Sequence, residues 1–127
     1  MKATAVHHSG YQATVDVRGH TIAIDEPPEH GGEDSGVMPT ELLAASLASC
    51  FALSLAHAAR REGVELPGLR VDVEAERAGR DLRYGRMTVF AQADVSLEPY
   101  MEKARRLCWV SNTFAAPPDI EYRTEDP

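Results

Sequence analysis

Cysteine is scarce in this chain: among its 127 residues only Cys50 and Cys108 carry a thiol. Two cysteines do not make a disulfide framework, so the fold must rest on an apolar core, and the reducing cytoplasm is the expected compartment. Basic charge is also short. The 13 Lys and Arg are outnumbered by 20 Asp and Glu, which leaves a net charge of -7. That deficit argues against nucleic acid or an anionic membrane as the main partner, since both need a basic footprint.

Two further features are lacking. Residues 1–10 have no apolar core of the kind a secretory leader carries. The longest apolar segment, residues 42–59, is interrupted by Ser46, Ser49, Ser54 and His57, so no stretch is expected to reach the apolar length of a membrane span. There are no internal repeats and no linker. Length and composition, with 43% hydrophobic and 26% charged residues, fit one globular domain over residues 1–127 with a core of its own.

What is present reads as α+β. Residues 4–8, 12–17 and 21–25 alternate as strands, with Val15, Val17, Ile22 and Ile24 on the inward set. Ser9-Gly10 and Arg18-Gly19 mark the turns of a three-stranded meander. Residues 26–37, rich in Pro, Gly and charge, form a long loop suited to a lid or a partner contact. A helix is expected over 39–62, opened by Pro39 with Glu41 in its first turn and stopped by Gly63. Its leucines and alanines leave nearly every face apolar or small, so it belongs inside the protein or between two subunits. Residues 69–77 and 86–97 alternate again, as a hairpin with one wet face. A second helix is expected over 98–109, with Met101 and Leu107 as core contacts, and a last strand over 119–123.

The two thiols are the chemistry to explain. Cys50 lies within the apolar helix between Leu47 and Phe51, where a cysteine by itself is most often a small core residue. Cys108 ends the second helix beside Lys103, Arg105 and Arg106; a helix C-terminus disfavours a thiolate while cations favour one. If they meet in space, one thiol can attack a peroxide and the other can then close a disulfide.

The segment from Pro39-Thr40-Glu41-Leu42-Leu43 to Ala48-Ser49-Cys50 closely resembles the cysteine helix of the OsmC/Ohr superfamily. Asp25-Glu26-Pro27, then Gly31-Gly32 and Gly36, resembles the loop before that helix, and Leu107-Cys108-Trp109-Val110-Ser111-Asn112-Thr113 resembles the second cysteine motif. The resemblance implies an OsmC-like fold: antiparallel sheets of swapped strands wrapped around a long central helix in an intertwined homodimer. It also implies thiol-dependent reduction of small organic hydroperoxides, with Cys50 peroxidatic, Cys108 resolving, and an external dithiol as reductant.

In that family an arginine holds the thiolate, oriented by a glutamate directly after the helix-opening proline. Here Thr40 follows Pro39 and the acid, Glu41, comes one place later. Nine residues of helix, about 900° of rotation, set Glu41 on the face opposite Cys50. No arginine stands at Ser9-Gly10-Tyr11; Arg18 in the next turn is the nearest substitute, with Arg60, Arg105 and an arginine of the second subunit as other candidates. The site residues expected on this basis are Cys50, Cys108, Glu41 and Arg18, with no cofactor and no metal. Phe51, Trp109 and Phe114 are candidates to line an apolar pocket. His57 lies about 10 Å along the helix from Cys50, too far for a shared metal without a third ligand. Two other readings compete: an OsmC-like binding or redox-sensing scaffold for a small apolar ligand, and a metal site of Cys50, Cys108 and a histidine.

Overall fold

The computed structural model describes residues 1–125 and 127, which divide into two compact units, Met1–Ala45 and Ser46–Pro127. In the first, β1 (Thr4–Ser9), β2 (Gln12–Val17) and β3 (His20–Ile24) form the expected antiparallel meander. Val15 lies opposite Ile22 and Ala13 opposite Ile24, which keeps one apolar set on a single face. The β2–β3 turn is Arg18-Gly19, both at positive φ (53° and 85°), the pairing that a two-residue hairpin turn requires.

The segment after β3 is long but knitted. Ile24 bridges Val37 in parallel, and Asp25 N–H donates to the Val37 carbonyl at 3.2 Å. A single 3-10 turn, Pro28–His30, lies within it. Asp25 is buried, and its carboxylate accepts from the N–H of Glu26 (2.8 Å), Glu33 (3.2 Å) and Ser35 (3.0 Å) and from the Ser35 hydroxyl (2.8 Å). Gly32 is required here, because a Cβ would collide with the Glu26 carbonyl oxygen.

Helix α1 (Pro39–Arg60) crosses the boundary between the units. Pro39 takes its first position, and the Glu41 carboxylate reaches back to accept the Met38 N–H at 2.9 Å, one half of a capping box. Gly63, at φ 73°, ends it: Gly63 N–H donates to the Arg60 carbonyl and Val64 N–H to the Ala59 carbonyl, both at 3.0 Å. By length and composition alone α1 is apolar enough to cross a membrane, which corrects the expectation that no stretch approaches that length. Its polar interruptions, Ser46, Ser49, Ser54 and His57, are too few to break the run.

In the second unit β4 (Arg70–Arg77) pairs with β5 (Tyr84–Gln92), with Val71 opposite Ala91, Val73 opposite Val89 and Ala75 opposite Met87. Val71, Val73, Met87, Val89 and Ala91 back the core of Leu47, Phe51, Leu55, Ala58, Ala59, Leu97, Tyr100, Ala104 and Cys108, while Arg70, Asp72 and Glu74 stay on the wet face. Strand β5 stops at Gln92, five residues short of the sequence expectation, and the chain turns before the next helix.

The expected helix over 98–109 is two helices, α2 (Glu98–Leu107) and α3 (Trp109–Ala115), separated by Cys108 in an extended conformation (φ -76°, ψ 100°). Tyr100 and Ala104 supply its buried contacts and Met101 packs beside them, whereas Leu107 remains 37% exposed rather than core. The expected last strand over 119–123 is not formed: these residues lie exposed, with no ladder to join in the single chain.

Candidate functional site

Helical spacing builds the first half of the site. Leu47, Phe51, Ser54, Leu55 and Ala58 recur three and four residues apart on the buried side of α1, and half-buried Cys50 sits at the margin of that stripe. The break between α2 and α3 builds the second half. Cys108 is fully buried, and its carbonyl accepts from Asn112 N–H (3.0 Å) and the Ser111 hydroxyl (3.1 Å), which starts the new helix on it. Both cysteines are free thiols.

The first N–H groups of any helix have no partner within it. In α3 those of Trp109 and Val110 find the Cys50 sulfur. Burial pushes the Cys50 thiol up, but hydrogen bonds from Val110 N–H, the Cys108 thiol, Trp109 N–H and the Ser54 hydroxyl prevail and bring it below its ordinary value of 9.0. Cys108 therefore stands at the N-terminus of a helix as well as at the end of one, and that start favours an anion where a C-terminus alone disfavours one. The arrangement gives a thiolate-prone sulfur in direct contact with a second thiol.

The model of the family described as OsmC-like protein matches residues 32–123. The chain belongs to the OsmC-like family. Solved structures share the fold at low identity. An organic hydroperoxide resistance protein OsmC from Legionella pneumophila is 23% identical over 91% of this chain and 88% of its own, with a TM-score of 0.70. An OsmC-like protein from Mycoplasma pneumoniae is 18% identical over 91% and 87%, with a TM-score of 0.78. The organic hydroperoxide resistance protein OhrB of Bacillus subtilis is 22% identical over 91% and 90%, with a TM-score of 0.61. No curated protein sequence matches the chain.

Of the four expected site residues of this OsmC-like chain, Arg18 and Glu41 belong to the first unit and Cys50 and Cys108 to the second. Cys50 and Cys108 come together. Glu41 is exposed and engaged with the Met38 N–H at the start of α1, nine residues and half a rotation from Cys50. Arg18 is the exposed tip of the β2–β3 turn in the first unit. Among the described residues, no Arg or Lys side chain is one of the main groups that lower the Cys50 thiol.

A groove of about 720 Å³ lies in the second unit; Leu47, Phe51, Met87, Val89, Met101 and Phe114 give it an apolar wall, and neither cysteine lines it. Phe51 and Phe114 thus line a pocket, but Trp109, 80% exposed, does not. Its polar edge carries Glu102, Arg105 and Arg106, with Arg106 paired to Glu102 at 2.7 Å. His57 is exposed, and among the described residues no three His, Cys, Asp or Glu side chains cluster as metal ligands. The donors at Cys50 escaped the sequence reading. Backbone N–H groups leave no trace in residue identity, but Ser54, one turn beyond a helical cysteine, was a usable signal.

Proposed function

We propose that this OsmC-like protein is a thiol-dependent peroxidase that reduces organic hydroperoxides as a cytoplasmic homodimer. The observation that supports it most directly is the Cys108 thiol bonded to a Cys50 sulfur already favoured as thiolate. Neighbours of the same fold named for organic hydroperoxide resistance point to the same chemistry.

In this reading the Cys50 thiolate attacks the terminal oxygen of ROOH. The O–O bond breaks, ROH leaves after taking up a proton, and Cys50 becomes a sulfenic acid. The Cys108 thiol then attacks the Cys50 sulfur, a water leaves, and a disulfide forms. A dithiol returns the two electrons. The groove walled by Leu47 and Phe51, the helical neighbours of Cys50, suits the organic part of the substrate better than it suits hydrogen peroxide. The dimer is supported by the apolar residue Leu53 of α1, 72% exposed in the single chain.

The test is hydroperoxide consumption by the purified protein with a dithiol reductant. Turnover of tert-butyl hydroperoxide that disappears in Cys50→Ser supports the proposal; no turnover above buffer in the wild type rejects it.

A second reading has one observation in its favour, the lack of a cation among the groups that lower the Cys50 thiol. It makes the protein an OsmC-like scaffold that holds a small apolar ligand, its thiols acting as core or redox sensor. Saturable binding of an apolar fluorescent probe that survives replacement of both cysteines, without peroxidase turnover in the wild type, would favour it.

A further inference from the structure

Ser54 is an unusual choice for its place. It is only 7% exposed on the buried face of α1, where alanine is the better helix former and carries no polar group to satisfy. It stands four residues after Cys50, one turn further on the same face. Its hydroxyl donates to the Cys50 carbonyl at 2.8 Å, and the same oxygen is within hydrogen-bonding reach of the Cys50 sulfur.

A serine hydroxyl has one proton to give, so it serves one of these acceptors at a time. The Cys50 carbonyl does not depend on it, because an interior helical carbonyl already accepts the N–H four residues on. With a neutral thiol the carbonyl is the better acceptor. Once the sulfur is ionised, a charge-assisted bond is about twice as strong as a neutral one. Only rotation about the Cβ–Oγ bond separates the two states, so no heavy atom has to move.

We propose that Ser54 is a hydroxyl switch, turning from the Cys50 carbonyl to the Cys50 sulfur as the thiolate forms and turning back when that charge is lost. The other groups at the sulfur are the Cys108 thiol and the N–H groups of Trp109 and Val110. The charged residues of α2, Glu102, Arg105 and Arg106, line the groove instead, so among the described residues Ser54 supplies the α1 hydroxyl that adjusts to the charge. The inference rests on reading Cys50 as the reacting thiol.

The test follows thiolate formation without any hydroperoxide: the pH profile of Cys50 alkylation by iodoacetamide, with the modified residue located by peptide mass spectrometry. In Ser54→Ala the profile moves up by about half to one pH unit, which slows alkylation about 3- to 10-fold near neutrality. Ser54→Thr, which keeps the hydroxyl, follows the wild type. A Ser54→Ala profile that superimposes on the wild type overturns the switch, and so does an equal shift in both variants, which would signal altered packing. A protein that shows the expected shift but does not react with hydroperoxide would overturn the peroxidase reading and leave the switch standing.

Discussion

The Cys108 thiol bonds the sulfur of Cys50, and it does so from a one-residue break between two helices. That break decides the chemistry. A continuous helix through position 108 would aim carbonyls toward the region; the restart at Trp109 aims N–H groups at the sulfur instead.

The pair predicts a division of labour. Cys108→Ser should leave a sulfenic acid on Cys50 after one equivalent of hydroperoxide, detectable as a dimedone adduct by mass spectrometry, while Cys50→Ser should give none at Cys108. Adducts of equal amount on either cysteine would contradict the assignment.

The lowered Cys50 thiol has a defined sign in pH. In the folded protein half-maximal alkylation of Cys50 should fall below 9.0 and should rise on unfolding in urea, where the α3 donors are lost. Because the folded value is depressed, the thiolate adds stability above the unfolded value, and this is lost as pH falls through the folded one.

Asp25 gives a second, separate pH signature. The Ser35 N–H, opposed by desolvation and joined by the Ser35 hydroxyl and the N–H groups of Glu26 and Glu33, holds its carboxyl at about 2 instead of 3.8. Its contribution is therefore complete above 3.8 and disappears as pH falls through about 2. Asp25→Ala should melt at a lower temperature near neutral pH and lose part of the acid dependence. Thermal melts at a series of pH values check both.

Much of this was legible in the sequence. Alternation gave the strands because one face of each sheet is apolar, and Pro39 and Gly63 mark the ends of α1 by the mechanisms expected of them. The break at Cys108 was not legible: no Gly or Pro marks it, and its residues suit a continuing helix, yet the Asn112 side-chain amide takes the Arg106 carbonyl at 3.1 Å and frees the Val110 N–H for the Cys50 sulfur. The place of Asp25 was hidden too, since most of its donors come from residues 33 and 35 of an irregular loop. The strand pattern of residues 119–123 was real as a pattern, but alternation without a neighbouring strand makes no ladder.

The core predicts its own sensitivity. Leu55 is fully buried in the cluster around Phe51 and Ala104, so Leu55→Ala should cost about 2–5 kcal/mol in urea unfolding.

The proposed dimer rests on α1. Leu53→Glu sets a charge on its exposed apolar side and should shift the protein from dimer to monomer in equilibrium sedimentation. A wild type that already sediments as a monomer would refute the dimer.

The most direct test of the account is a titration of the free thiols with tert-butyl hydroperoxide, followed by peptide mapping without reduction. The account predicts that one equivalent removes both thiols and leaves a Cys50–Cys108 disulfide within one chain. Two thiols that stay free after excess hydroperoxide would contradict it.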